Sequence, residues 1–377
     1  MRSRTLTLLA ATVGATALLT ACGANSTPST GSGSSSASAP AAGGGASGEV
    51  GVILPETATS ARWEAFDKPM LEAALKAQGF KADVQNAQGD NQKFATLADG
   101  MINKGVKVLV IAPSDPEVGA AIEAKAKKAG IPTIDYDRPS LGGSADYYVS
   151  FDNEKVGEIQ AQGLADKLKD KPGAAVVQIE GAPTDNNATL FGNGHDKVLD
   201  PLYASGALKK VQKQAIDDWN AQVGGTTFEQ ILSKNGGKVD GVVAANDGLA
   251  GAVITILKKN HLNGQVPVTG QDATADGLMA VLRGDQYLTI FKPIKQEAEA
   301  TAKLAAALAK GDTAAADAVA TGKLHDPKNN RDLKSVLLDP KLILKADVKT
   351  VVTEGYVKAS DICGGDLAAI CTQVGVS

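Results

Sequence analysis

Short β-type runs alternate with longer helical runs over about 250 residues, from residue 50 onward. Candidate strands fall at 50–54, 82–86, 106–111, 133–136, 147–150, 174–179, 211–216, 241–245, 266–269 and 288–291. Several are continuous apolar runs, such as Val106-Lys107-Val108-Leu109-Val110-Ile111, the pattern of a strand covered by helices on both faces. The spacing predicts helices over 68–77, 153–168, 187–199, 226–232, 249–259, 275–282 and 293–308, and another that opens at Asp115-Pro116. Asp67 stands where an N-cap would precede Pro69 in a first turn. Strand–helix alternation of this length means a doubly wound α/β fold. Ten strands are too many for one comfortable sheet, so two doubly wound parallel-sheet lobes are expected.

The N-terminus predicts the compartment. Met1-Arg2-Ser3-Arg4 is a short basic region, and 5–20 is apolar or small without charge. Leu19-Thr20-Ala21-Cys22 closes it as a lipobox, so 1–21 reads as a lipoprotein signal peptide and Cys22 as the lipidated first residue of the mature chain. Two acyl chains on Cys22 would hold the protein on the extracytoplasmic face of the cell membrane. Residues 22–48 are rich in Ser, Gly and Ala, carry no charge and offer nothing large to bury, so they read as a disordered tether. The folded body should begin near residue 49.

The net charge of −4 is mild and scattered, which excludes a nucleic-acid face built on clustered Lys and Arg. His195, His261 and His325 stand far apart without metal-ligand spacing, so neither a metal nor a cofactor is expected. Cys363 and Cys371 remain once Cys22 is lipidated. In an oxidising compartment that pair is expected to form a disulfide.

In open α/β sheets, ligands bind beyond the carboxyl ends of the strands. Just past the strand ends stand Arg62-Trp63, Asp137-Arg138, Asp185 with Asn187, Trp219, Asn246, Asp272 and Lys292. Any one Asp or Asn here could simply cap a helix. Caps do not call for Arg, Lys and two Trp in the same register. A sugar does: each hydroxyl wants an acceptor and a donor, and the C–H face of a pyranose packs on an aromatic ring. Asp137, Asp185 and Asp272 supply acceptors; Arg62, Arg138 and Lys292 supply donors; Asn187 and Asn246 do either; Trp63 and Trp219 are flat. The formal charges cancel, which suits a neutral ligand.

These residues sit in stretches that resemble the periplasmic sugar-binding proteins of ABC importers, of the ribose/galactose type, and within them the D-xylose binders. The stretches are Tyr136-Asp137-Arg138, the run 150–158, Asp185-Asn186-Asn187-Ala188, the run 242–247, Gly270-Gln271-Asp272-Ala273 and Lys292-Pro293-Ile294. The resemblance implies that Arg62, Asp137, Arg138, Asp185, Asn187, Asn246, Asp272 and Lys292 hold sugar hydroxyls, with Trp219 and Trp63 stacked on the ring. It implies a monomer that closes on a neutral monosaccharide and delivers it to an ABC permease. It also implies a multi-strand hinge crossed three times, with an N-terminal lobe of 49–152 and 293–330 and a C-terminal lobe of 153–292 and 331–377. D-xylose is the expected ligand. Glucose, ribose, arabinose and galactose are the alternatives, as is a role in signalling sugar to a membrane receptor.

Other classes fare worse. The chain has no Gly-x-Ser-x-Gly elbow, no P-loop and no metal cluster. A glycosidase acid needs a raised pKa, which the basic neighbours of these aspartates oppose. An enzyme is not expected. A sugar-responsive repressor would need a DNA-binding head where the lipobox and tether stand.

Overall fold

The computed structural model describes residues 48–57, 60 and 62–376. The signal peptide, Cys22 and all but the last residue of the tether lie outside these. Strand β1 (Glu49–Leu54) lies between β2 (Lys81–Asn86) and β3 (Val108–Ile111), followed by β4 (Thr133–Tyr136) and β5 (Tyr147–Phe151). A second sheet holds β6 (Ala174–Glu180), β7 (Leu208–Ala215) and β8 (Gly241–Ala244), all parallel. The chain then forms β9 (Thr289–Phe291), β10 (Gly322–Asp326), β11 (Arg331–Leu338) and β12 (Lys341–Ile343). The first sheet has seven strands in the order β10-β11-β5-β4-β3-β1-β2, parallel except for the edge strand β10. Strands β9 and β12 pair antiparallel.

The expected boundary at 330/331 is therefore corrected. Strand β11 pairs with β5 in the first sheet, because Ser335–Leu338 extend alongside Tyr148–Phe151, and the return crossing comes after Leu338. The three passages between sheets come after β5, β9 and β11, and the Asp152 N–H donates to the Leu338 carbonyl where two of them run together. Residues 266–269 do not form a full strand: Val268 makes one parallel bridge to Val242.

Helices α1 (Lys68–Ala77), α2 (Asn91–Lys104), α3 (Pro116–Lys128), α4 (Asn153–Leu168), α5 (Asn186–Ala204), α6 (Ala221–Lys234), α7 (Asp247–Lys259), α8 (Ala275–Arg283) and α9 (Ile294–Ala309) cover the sheets. Strand side chains alternate between two cores, as a period of two requires. Val50, Val52, Leu54, Val108 and Val110 pack with α1 and α9, whereas Ile53, Leu109 and Ile111 pack with α2 and α3. In the second sheet Val177, Ile179 and Val242 face one way, and Val176 and Val243 the other. Asp67 does not cap α1. A π-helical turn, Trp63–Asp67, runs straight into that helix, and the Asp67 carboxylate turns inward instead.

Beyond β12, short helical turns pack around Val348, Val351, Ile362 and Leu367. Tyr356 stacks on Phe66 at 4.2 Å and meets the edge of Phe291 at 5.0 Å. A disulfide joins Cys363 to Cys371, closing this segment on itself.

Helices α4 and α5 meet at backbone distance: a Cβ on Gly157 would lie 2.1 Å from the Phe191 carbonyl oxygen. Backbone cannot give way cheaply, so Gly157→Ala should destabilise by about 1–3 kcal/mol; an unchanged denaturation midpoint would contradict this contact. In the second lobe, buried Asp247 accepts from Gln286 and Thr289 on one oxygen and from the Thr274 N–H and hydroxyl on the other. Burial pushes its pKa up to about 7, further raised by Asp272 and opposed by these hydrogen bonds. The native state then holds a proton that the unfolded chain releases at ordinary carboxyl pH. This contribution to stability is present at low pH and lost as pH rises to about 7. Stability measured against pH should lose that slope in Asp247→Asn; identical slopes would contradict it.

Candidate functional site

A cleft between the two lobes holds about 360 Å³ of space, its open mouth included. All ten residues singled out at the strand ends line it: Arg62, Trp63, Asp137, Arg138 and Lys292, with Asp185, Asn187, Trp219, Asn246 and Asp272. Ser60, Phe191 and Gln271 line it too. Gln271 had a legible signal, since it precedes Asp272 at the same strand end. Phe191 lies one helical turn past Asn187, on the same face of α5.

Arg62 is the base of the N-terminal side. It is buried, and its Nε and one terminal nitrogen grip Asp67 at 3.0 and 2.7 Å. That nitrogen also donates to Glu297 at 3.1 Å, and the other donates to Asp137 at 2.8 Å. Four of its five N–H groups are thus committed, leaving one for a ligand. Burial opposes the Arg62 charge, but Asp137, Asp67 and Glu297 raise its pKa above the ordinary value. Burial also works against ionised Asp137, yet Arg62, Lys292 and Arg138 hold its carboxyl below the usual range. Glu297 is pushed well up, by burial and then by Asp137. Tyr136 donates to Asp67 at 2.7 Å. Sequence reading missed Asp67, Tyr136 and Glu297 as site support, because two sit inside helical segments and one within a strand.

These residues correct the charge balance. Around the cleft Arg62, Arg138 and Lys292 face Asp67, Asp137, Asp185, Asp272 and Glu297, so carboxyl groups outnumber cations. Burial pushes the carboxyls of both Glu297 and Asp67 upward, toward their neutral forms. Each of the three cations is already paired with a carboxyl group, so no surplus cation is offered to an anionic ligand.

Asn187 ties the lobes together. Its amide nitrogen donates to both the carbonyl and the carboxylate of Asp137, at 2.9 and 3.0 Å. Its oxygen accepts from Asn153 at 2.9 Å and from Tyr148 at 3.4 Å. Its polar capacity is spent within the protein, so it bears on the cleft by fixing Asp137. Trp63 donates to Glu56 at 2.9 Å and carries the Arg62 and Arg138 guanidiniums over its ring at 4.5 and 5.2 Å. Trp219 donates to Asp185 at 3.1 Å and seats its ring against Gly181, where any Cβ would fall 2.1 Å from it.

Several strand-end residues do two jobs. Asp185 caps α5 through the Asn187 N–H, and Asn246 caps α7 through the Leu249 N–H. Asp137, Trp219 and Asp272 hold φ angles of 61°, 55° and 97°, a sparsely populated region for such residues. Meanwhile polar capacity is left over. Asp272 Oδ1, Gln271 Oε1, Ser60 Oγ and Arg138 Nε are buried without a hydrogen-bond partner. The Lys292 ammonium lies 3.5 Å from Asp272 and 3.8 Å from Asp137, beyond normal hydrogen-bond length. Buried polar groups this close together are ordinarily satisfied.

Known proteins resemble this chain over most of its length. Residues 50–313 fit the profile of the periplasmic binding protein domain. A D-xylose-binding periplasmic protein of Haemophilus influenzae is 38% identical over 296 residues, covering 78% of this chain and 86% of that protein. Its counterpart in Escherichia coli is 37% identical over 302 residues, covering 80% and 88%. A carbohydrate transporter solute-binding protein of Chloroflexus aurantiacus, solved in complex with D-glucose, superposes with a TM-score of 0.76 at 28% identity, covering 83% of this chain and 97% of that one. That family consists of binding proteins rather than enzymes, and its fold is the two-lobed architecture described above. The chain belongs to the periplasmic binding protein family.

Proposed function

We propose that the protein captures a neutral monosaccharide, D-xylose in the first place, by closing its lobes around it, and delivers it to an ABC permease. The observation that carries this reading is the unspent polar capacity of the cleft. Asp272 Oδ1, Gln271 Oε1 and Ser60 Oγ accept no hydrogen bond, and Lys292 pairs with Asp272 and Asp137 only at 3.5 and 3.8 Å. A polyhydroxylated ligand supplies both donors and acceptors to such a set. In this reading Arg62, Asp137, Arg138, Asp185, Asn246, Asp272 and Lys292 contact hydroxyls, Asn187 holds Asp137, and Trp219 and Trp63 supply ring surfaces. The lack of an unpaired cation among these residues speaks against sugar phosphates and sugar acids. The xylose assignment is supported by the two D-xylose-binding relatives. Glucose is the second reading, favoured by the glucose-bound structure.

Delivery places the protein outside the cytoplasm. The basic start, the apolar run and the lipobox at Cys22 support tethering to the cell membrane by lipid. Cys22→Ala in the full chain should release the protein from the membrane fraction into the medium. Retention on the membrane would contradict the anchor.

Calorimetry against xylose, glucose, ribose, arabinose and galactose tests the ligand. Xylose should bind most tightly; micromolar glucose binding with none of xylose would contradict the pentose assignment. Asp272→Ala and Trp219→Ala should each weaken binding at least tenfold, about 1.4 kcal/mol, while circular dichroism stays native. Two variants that bind like the unaltered protein would place the site elsewhere.

A further inference from the structure

Helix α5 carries a fully buried histidine, His195, two turns past Asn187 and one turn past Phe191 on the same face. It reaches α4 because the two helices run at backbone contact: a Cβ on Gly194 would lie 2.1 Å from the Glu154 carbonyl oxygen.

The neighbours of His195 fix one of its protons. Gln160 of α4, also fully buried, donates through its amide nitrogen to the carbonyls of Ala244 at 3.1 Å and Gly270 at 2.9 Å. The reverse orientation would set an amide oxygen against two carbonyl oxygens, which only accept. The Gln160 oxygen therefore faces His195 Nε2, 2.9 Å away, and Nε2 must carry a proton to donate to it. On the other side of the ring, Nδ1 meets both carboxyl oxygens of Glu180, at 3.0 and 2.9 Å.

A buried chain of hydrogen bonds thus runs from the end of β6, through α5 and α4, to two further strand ends. Ala244 stands two residues before Asn246, and Gly270 directly precedes Gln271 and Asp272. Glu180 is followed by Gly181, against which the Trp219 ring seats. Asn246, Gln271, Asp272 and Trp219 all line the cleft, whereas Gln160 and His195 do not. We propose that His195 and Gln160 are positioning residues for the sugar site. The His195 Nε2–H holds the Gln160 amide in the one orientation that grips both carbonyls, and that grip sets where Asn246, Gln271 and Asp272 stand. Each member of such a network is satisfied only by the next, so the parts act together. The inference rests on the monosaccharide reading of the cleft.

Calorimetry with D-xylose on the mature chain, together with NMR of the chain carrying nitrogen-15 in its histidine rings, tests it. His195 should show a protonated Nε2 at neutral pH. Gln160→Leu and His195→Leu should each weaken xylose at least tenfold. His195→Gln, whose amide can set a donor where Nε2 stands, should stay within about threefold of the unaltered protein. Leu199→Ala empties space one turn further along α5, beside Leu164 and Val176. It should lower the denaturation midpoint and leave xylose affinity within about threefold. An unprotonated Nε2 would overturn the inference. So would unchanged affinity in both leucine variants, a loss in His195→Gln as large as in His195→Leu, or a loss in Leu199→Ala as large as in Gln160→Leu. In those cases the unaltered protein still binds xylose and the reading of the cleft stands. An unaltered protein that binds no monosaccharide would remove that reading and the inference with it.

Discussion

Arg62 is a buried cation that three carboxyl groups share, and the cleft is built on it. Its side chain is 4% exposed, so its charge must be compensated by the protein. Asp67 takes it in a two-point grip, Glu297 reaches it from the first turn of α9, and Asp137 reaches it from the end of β4. The chain segments that supply these groups lie far apart in sequence, so the guanidinium fixes the π-turn, the strand end and the helix start relative to one another. Removing it would strand carboxylates in a dry interior, typically a loss of about 3–5 kcal/mol. Because most of its donors are spent on this task, Arg62 matters to a ligand chiefly through where it puts Asp137.

From Asp137 the constraint crosses the cleft. Asn187 holds that residue from the other lobe, and Lys292, at a crossing between the sheets, lies between Asp137 and Asp272. Closure thus brings complementary groups together before any ligand is counted. A ligand can shift the population toward the closed state only by its differential affinity for it. The unpartnered Asp272 and Gln271 oxygens and the loosely held Lys292 are where that difference can arise. The strained backbone at Asp137, Trp219 and Asp272 keeps these groups aimed at the cleft, with burial elsewhere absorbing the cost.

Much of this was legible from the chain. Short β-type runs located β1 to β9, and the polar residues after each strand pointed to one cleft because parallel strands all present their carboxyl ends to the same side. The edge strand β10 and its neighbour β11 were missed: alternating Lys, Asp and Leu does not read as a buried strand. Helix α2 was missed because Gly100 and polar residues interrupt its apolar stripe. Asp67 looked like a cap, and only tertiary structure could show that a buried arginine claims its carboxylate. Glu297 gave no signal at all, since a Glu in a first helical turn is ordinarily a solvated complement to the helix dipole. Local chemistry is written in the sequence, whereas the pairing of charges across segments is a property of the fold.

In the proposed function, a sugar bridges two lobes and holds them closed. Small-angle scattering of the mature chain, with and without saturating D-xylose, tests that closure most directly. The radius of gyration should be smaller with xylose, and should return to the larger value when the sugar is dialysed away. An unchanged radius at a xylose concentration that calorimetry shows to be saturating would contradict it.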